Sequence, residues 1–126
     1  MIFKQVFDDK SSTFTYLIAL EKGREAIIID PVIEDVEKYI ELLKEFDLQL
    51  VKVIDTHIHA DHITGASKLK KATSCTTIMG EHSPSEFVEL KVKDNEIIKV
   101  DKMEIKAIYT PGHTSDSYSF LMNSYL

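Results

Sequence analysis

Hydrophobic and polar residues follow one another along the chain in a pattern that predicts a mixed α/β fold. Residues 103–109 alternate with a period of two, which is typical of a strand with one buried face. Residues 26–29 are apolar throughout, as in a central strand, and residues 34–46 carry apolar side chains at helical spacing. The predicted strands span residues 2–7, 13–20, 26–29, 50–54, 76–79, 97–100, 103–109 and 118–122, and the predicted helices span residues 34–46 and 63–71.

The order of these elements predicts how they are connected. A turn at residues 21–24 predicts a hairpin, and the strand–helix–strand order over residues 26–54 predicts a crossover unit. Asp30-Pro31 ends one strand, because proline cannot continue a central ladder. The segment 110–113 ends the predicted strand 103–109. Loops at strand ends are rigidly supported and often carry function, so these are the positions at which chemistry is expected.

Length and charge restrict the class of protein. The 126 residues suit one domain or part of a larger one, and we expect a single domain over residues 1–126. The 44% hydrophobic content is typical of a globular chain. A net charge of −6 argues against a nucleic-acid partner, which normally requires a basic face.

Lys68, Lys70 and Lys71 form the nearest approach to a basic cluster. The ordinary interpretation is a solvated helix face, and the alternative is a clamp for an anionic substrate. The single cysteine, Cys75, excludes an internal disulfide and is expected to be a buried small hydrophobe rather than a nucleophile.

The ends and apolar stretches of the chain bear on its location. Residues 1–7 do not have the pattern of a signal peptide. No apolar stretch approaches the ~20 residues that a membrane span needs. We therefore expect a cytoplasmic protein without a membrane partner.

A cluster of candidate metal ligands follows the predicted strand 50–54. His57, His59, Asp61 and His62 lie within six residues, in the segment THIHADH at 56–62. Imidazole and carboxylate are the ligands that zinc and ferrous iron prefer. Polar rings and a carboxylate gathered at a strand end would cost stability unless a metal or strong hydrogen bonds compensate. The sequence therefore predicts a metal site here.

Three further residues outside this cluster carry side chains that could bind a metal or support a ligand. His113 lies in a second strand-end segment, next to Gly112, and is a fifth candidate ligand. Asp30 either caps the turn that follows it or accepts a hydrogen bond behind a ligand histidine. His82 lies in a segment without patterned partners and is expected to be a loop residue.

Four segments together resemble the metallo-β-lactamase superfamily, and within it the persulfide dioxygenases, which are related to glyoxalase II. These segments are SSTFTYL at 11–17, IDPV at 29–32, THIHADHITGA at 56–66 and YTPGHT at 109–114. The HxHxDH element is typical of the superfamily. Ala60, where glyoxalase II typically has a bulky aromatic residue, favours the dioxygenase branch.

The resemblance implies an α/β fold of the αββα sandwich type with the site at one edge of its two sheets. It implies a persulfide dioxygenase that oxidises glutathione persulfide with O₂ to sulfite and glutathione at one Fe(II). His57 and His113 would bind the iron, with His59, Asp61 and His62 around it. The family's third ligand is an aspartate in a later Gly-Asp segment, which these residues do not contain. The chain thus resembles the amino-terminal half of the family, and Asp61 or a second chain would have to substitute.

Two alternatives remain open. The first is a zinc thioester hydrolase like glyoxalase II, with one or two Zn²⁺ ions. There His57, His59 and His113 would bind one metal, while Asp61 and His62 would help to bind a second, with Asp61 also the candidate catalytic residue. The second is a catalytically incomplete fragment, which would form a homodimer or require a complementing C-terminal segment. The sequence does not identify substrate-binding residues.

Overall fold

The computed structural model describes residues 1–57, 65–83, 88–112 and 116–124. Two short α-helices and nine strands are present in these ranges. The strands are β1 (Ile2–Asp8), β2 (Thr13–Ala19), β3 (Glu25–Ile29), β4 (Gln49–Ile54), β5 (Thr76–Gly80), β6 (Leu90–Val92), β7 (Ile97–Val100), β8 (Met103–Tyr109) and β9 (Tyr118–Ser124). The helices are α1 (Val36–Glu45), preceded by a 3-10 turn at Ile33–Asp35, and α2 (Ala66–Thr73).

The larger sheet has six strands in the order β1-β2-β3-β4-β5-β6. The first three strands pair antiparallel, and β3, β4, β5 and β6 pair parallel. The parallel part arises because α1 connects β3 to β4 and α2 connects β4 to β5. The carboxyl ends of β3, β4 and β5 therefore meet at one edge of the sheet.

The smaller sheet has three antiparallel strands in the order β7-β8-β9. It packs on one face of the larger sheet through an apolar layer to which both sheets contribute. That layer contains Ile18, Leu20, Ile27, Ile54, Ile78, Val92, Ile98, Val100, Met103, Ile105, Ala107 and Tyr118. Both α-helices contribute to a second apolar layer on the opposite face of the larger sheet. The layers among the described residues thus run helices, six-stranded sheet, three-stranded sheet.

The amphipathic pattern explains why α1 packs as it does. Val36, Tyr39 and Leu43 recur at helical spacing and are buried against the larger sheet. In α2, Leu69 is buried while Lys68 and Lys70 on the other side are exposed. The expectation of a solvated lysine face is therefore confirmed, and Lys70 pairs with Glu89.

The predicted elements are present with small changes at their ends. The crossover unit and the hairpin before it are confirmed by the parallel pairing of β3 with β4 and the antiparallel pairing of β2 with β3. β6 was not predicted. The described part of α2 begins at Ala66, whereas the prediction began at residue 63; residues 63 and 64 lie outside the described ranges. No helix among the described residues is long and apolar enough to cross a lipid bilayer.

Candidate metal centre

Two of the predicted site residues follow neighbouring parallel strands. Asp30 comes directly after β3, and His57 lies three residues after the end of β4. Both are half-buried. Because β3 and β4 end at the same edge of the sheet, their following segments approach each other there.

A pair of hydrogen bonds joins these two segments through Thr56. The Thr56 backbone N–H donates to Asp30 Oδ1 at 2.8 Å, and the Thr56 hydroxyl donates to Asp30 Oδ2 at 2.8 Å. Both oxygens of one carboxylate thus receive a donor from the residue that precedes His57. Asp30 thus accepts hydrogen bonds from the residue before His57, and its role behind a ligand histidine stays a prediction.

The same hydroxyl determines which ring nitrogen of His57 carries a proton. Thr56 Oγ1 lies 2.9 Å from His57 Nδ1. Since the hydroxyl hydrogen is directed to Asp30, the oxygen can only accept from His57, which requires a proton on Nδ1. The lone pair of the neutral ring is then on Nε2. A histidine whose Nδ1–H is held in this way is prepared to bind a metal through Nε2, so its chemistry suits a metal ligand.

The backbone of Asp30 is held in an uncommon conformation. Its φ of 57° lies in the left-handed region, which L-residues other than glycine, asparagine and aspartate seldom adopt. Its N–H donates to the Ile54 carbonyl at 2.7 Å, and its carbonyl accepts from the Thr15 hydroxyl at 2.6 Å. These bonds fix the direction in which the carboxylate leaves the main chain.

A buried tyrosine supports Thr15 from beneath. The Tyr39 hydroxyl lies 3.0 Å from Thr15 Oγ1 and accepts from the Val32 backbone N–H at 3.0 Å. With the Thr15 hydrogen directed to the Asp30 carbonyl, the Tyr39 hydroxyl donates to Thr15. Burial, as the main cause, raises the pKa of Tyr39 above its ordinary value, so the hydroxyl keeps its proton. A chain of hydrogen bonds therefore runs from helix α1 to Asp30.

An apolar cavity of about 270 Å³ adjoins this network. Asp30 and Thr56 line it together with side chains from both sheets, among them Tyr16, Ile105 and Phe120. The cavity places an apolar surface against the hydrogen-bonded carboxylate.

The remaining predicted ligands lie outside the described residues. They are His59, Asp61, His62 and His113. The described residues alone bring no group of three or more His, Cys, Asp or Glu side chains together in a way that could hold a metal. The predicted ligand set thus stays a prediction, supported by the geometry around His57.

His82 lies at the same edge of the sandwich, in the turn that follows β5, as expected of a loop residue. Its imidazole stacks on the Tyr109 ring, with 3.8 Å between centroids and an interplanar angle of 4°. Its Nδ1 forms a hydrogen bond of 3.2 Å with the Tyr118 hydroxyl. The sequence did not indicate these contacts, because the partners lie 27 and 36 residues further along the chain. Cys75 is buried as expected, and burial raises the pKa of its thiol.

The model of one protein family matches almost the whole chain. That family is the metallo-beta-lactamase superfamily, and the match covers residues 8–124. The chain belongs to the metallo-beta-lactamase superfamily. The mixed α/β architecture and the position of the histidine segment at a strand end agree with this membership.

Relatives within the superfamily carry two kinds of name. The chain is 33% identical to the mitochondrial persulfide dioxygenase ETHE1 of Homo sapiens over 126 residues, which is 99% of this chain and 49% of the relative. It is 35% identical to a probable hydroxyacylglutathione hydrolase of Schizosaccharomyces pombe over 113 residues, 88% of this chain and 44% of the relative. Both relatives are named as enzymes. The chain spans about half the length of each.

A solved structure confirms the fold. The crystal structure of ETHE1 from Myxococcus xanthus superposes with a TM-score of 0.92 at 41% identity. The superposition covers 97% of this chain and 54% of that one. The expected metallo-β-lactamase fold is thereby confirmed over the length of the present chain.

Proposed function

We propose that this chain carries part of the metal centre of a persulfide dioxygenase, an enzyme that oxidises glutathione persulfide with O₂ to sulfite and glutathione. The observation that carries the proposal is the hydrogen-bond chain from Asp30 through Thr56 to His57. It prepares one histidine of the THIHADH segment for a metal. The 33% identity to a protein named persulfide dioxygenase supports the choice of reaction.

His57 and His113 are the proposed iron ligands, with His59, Asp61 and His62 close to them. An iron ion held there would supply a position at which the persulfide sulfur and O₂ meet, so that proximity replaces a bimolecular encounter. The protein's own part is to hold His57 in one tautomer and orientation. Asp30 contributes by directing the Thr56 hydroxyl so that its oxygen faces the Nδ1–H of the ring.

A thioester hydrolase is the second candidate, because several relatives are named hydroxyacylglutathione hydrolase. In that enzyme Asp61 and His62 would be direct ligands, and Asp61 would also serve in catalysis. Two bound zinc ions would lower the pKa of a water molecule and polarise the thioester carbonyl. The Asp30–Thr56–His57 chain would serve this site equally well, so the choice between the two depends on the metal and the reaction.

The partners and location belong to the same proposal. The substrate would be a small glutathione derivative, either the persulfide or a thioester. Association with a second copy of the chain or with a complementing segment stays a prediction, to be checked by the mass of the metal-loaded protein in solution. A cytoplasmic location stays a prediction, to be checked by cell fractionation, since the human relative is named as mitochondrial.

One reconstitution experiment separates the candidates. The metal-free chain is loaded under anaerobic conditions with Fe(II) or with Zn²⁺. O₂ uptake is then measured with glutathione persulfide, and release of glutathione from a lactoyl thioester is measured without O₂. The proposal predicts O₂ uptake that needs both iron and the persulfide.

Each outcome has a defined meaning. Thioester cleavage by the zinc form without O₂ uptake by the iron form would replace the dioxygenase with the hydrolase. Metal binding without either reaction would favour the catalytically incomplete fragment. Failure to bind either metal would reject the metal centre itself.

A further inference from the structure

His82 contacts both ends of the connection between β8 and β9. That connection begins after Tyr109 and ends before Tyr118, and in the sequence it carries His113. The His82 ring stacks on Tyr109 at 3.8 Å and hydrogen-bonds to the Tyr118 hydroxyl at 3.2 Å. The two tyrosine rings lie 5.3 Å apart, so the three rings form one cluster, the aromatic clamp. One side chain in the turn after β5 thus contacts two residues of the smaller sheet.

The ends of the connection are also bonded to each other. The Thr110 N–H donates to the Ser117 carbonyl at 3.0 Å, and the hydroxyls of Thr110 and Ser119 lie 2.9 Å apart. The aromatic clamp therefore acts on two strand ends that are already bonded to each other.

Tyr118 joins the aromatic clamp to the histidine segment. Its backbone N–H donates to the Thr56 carbonyl at 2.9 Å, one residue before His57. Its ring is 3% exposed and packs directly over Gly80, where a Cβ atom would lie only 2.1 Å from the ring. The position of the Tyr118 ring is thus closely defined by the backbone of β5. Tyr118 thus contacts Thr56 through its backbone and Tyr109, at the end of β8, through its ring.

We propose that His82 is a positioning residue that holds Tyr109 and Tyr118, which flank the His113 segment in the sequence, in place beside Thr56 and His57. This inference rests on the metal centre proposed above. His82 does not touch the metal in this account; it acts through Tyr109 and Tyr118. Without His82, the ends of β8 and β9 would be held less firmly beside Thr56, and the entropic cost of fixing them on metal binding would appear as weaker affinity.

Zinc titration against a competing chelator tests the inference on the 126-residue chain. We expect His82→Ala, which loses the stack and the hydrogen bond, to bind zinc roughly tenfold more weakly, as is typical when a group behind a metal ligand is removed. His82→Phe keeps the stack and loses only the hydrogen bond, so it should recover part of the affinity. Lys102→Ala, at the exposed turn between β7 and β8, is the control and should bind as the unsubstituted chain does.

A double-mutant cycle adds a measurement that general loss of stability would not reproduce. Tyr118→Phe removes the same hydrogen bond as His82→Phe, so the two substitutions together should cost no more than either alone. The cycle can also be measured if His82→Ala does not fold, because it uses only His82→Phe and Tyr118→Phe. Full additivity of the two, or zinc affinity of His82→Ala within about twofold of the unsubstituted chain, would overturn the inference. If the unsubstituted chain binds no zinc, the metal centre fails first, and that outcome is distinguishable from an indifferent His82.

Discussion

Asp30 combines a backbone conformation that most residues avoid with a carboxylate that receives two hydrogen bonds. The left-handed conformation costs an L-residue about 1–2 kcal/mol, less for aspartate and asparagine. The structure offsets this through bonds from the residue's own N–H and carbonyl to β4 and β2. The result is a carboxylate that orients Thr56, and through it His57.

Removal of the Thr56 hydroxyl tests this arrangement. Thr56→Val keeps the shape of the side chain but takes away both the donor to Asp30 Oδ2 and the acceptor of His57 Nδ1–H. We expect zinc affinity to fall about tenfold to a hundredfold. Thr56→Ser keeps the hydroxyl and is the matched control. Equal affinities of the two variants would show that the hydroxyl does not prepare His57.

The site could be predicted from sequence only where its residues are neighbours in the chain. The THIHADH segment is apparent because four candidate ligands occupy six residues. Asp30 could be identified as a candidate but not assigned, since its two possible roles differ only in which donor it meets. The contacts of His82 with Tyr109 and Tyr118 depend on how the two sheets pack together. The contact of Thr15 with Tyr39 depends on how helix α1 packs on the larger sheet. No local sequence pattern encodes either of them.

At the scale of elements, Tyr39 connects helix α1 to the strand ends. Tyr39→Phe removes the hydroxyl and leaves the buried Val32 N–H without its acceptor. We expect the free energy of unfolding to decrease by about 1–3 kcal/mol, the cost of an unsatisfied buried group. Urea denaturation measures it. Tyr16→Phe is the control, because the Tyr16 hydroxyl accepts an exposed bond from Gln5 and its loss should cost little.

A pair of carboxyl groups joins the end of β1 to the start of α1 and predicts a dependence on pH. Hydrogen bonds from the side chain and backbone of Ser11 lower the pKa of Asp8, with a smaller contribution from Lys10. Burial raises the pKa of Asp35, and neighbouring Asp8 raises it further, while Lys38 opposes this. Asp8 therefore stabilises the fold above its ordinary pKa and loses this effect as the pH falls. Asp35 acts in the opposite direction. Because its pKa is raised in the fold, the folded state loses stability as the pH rises above the ordinary pKa of this carboxyl.

Asp35→Asn is therefore expected to increase the free energy of unfolding at about pH 7. At that pH the unfolded chain ionises Asp35 freely, whereas the fold disfavours the ionised form. Asparagine also supplies an N–H for the Asp8 carboxylate, whereas the buried Oδ2 of Asp35 has no hydrogen-bond donor among the described residues. Below the ordinary pKa of 3.8 the gain should vanish. Chemical denaturation across this range measures it, and a gain independent of pH would contradict the assignment.

The elements themselves were predictable to the extent that their patterns are long. The buried apolar residues of α1 recur over more than two helical turns. The buried and less buried residues of β8 alternate over most of its seven residues. β6 was missed because it has three residues, of which only Val92 is buried. Such a strand is defined by pairing with β5 rather than by its own sequence.

At the scale of the whole molecule, polar contacts join the two sheets near both ends of the parallel strands β3 and β4. At the site end, Tyr118 donates to Thr56. At the other end, Arg24 before β3 forms an ion pair with Asp101 in the turn between β7 and β8. The Arg24 and Asp101 side chains are 30% and 14% exposed, so the pair is only partly screened by water. Apolar side chains fill the space between these contacts.

A double-mutant cycle with Arg24→Gln and Asp101→Asn measures the contribution of this ion pair. Asparagine is chosen because residue 101 has a φ of 56°, which asparagine tolerates. We expect a small favourable coupling energy that decreases with added salt. A coupling that is zero at low salt would show that this ion pair does not help to hold the two sheets together.

The aromatic clamp gives the chain an optical reporter. The sequence has five tyrosines and no tryptophan. The near-ultraviolet circular dichroism must therefore come mainly from tyrosine, and two of the five are held beside His82 at the edge where metal is proposed to bind. Loading with metal should consequently alter a spectrum that needs no added dye, and His82→Ala should reduce the change.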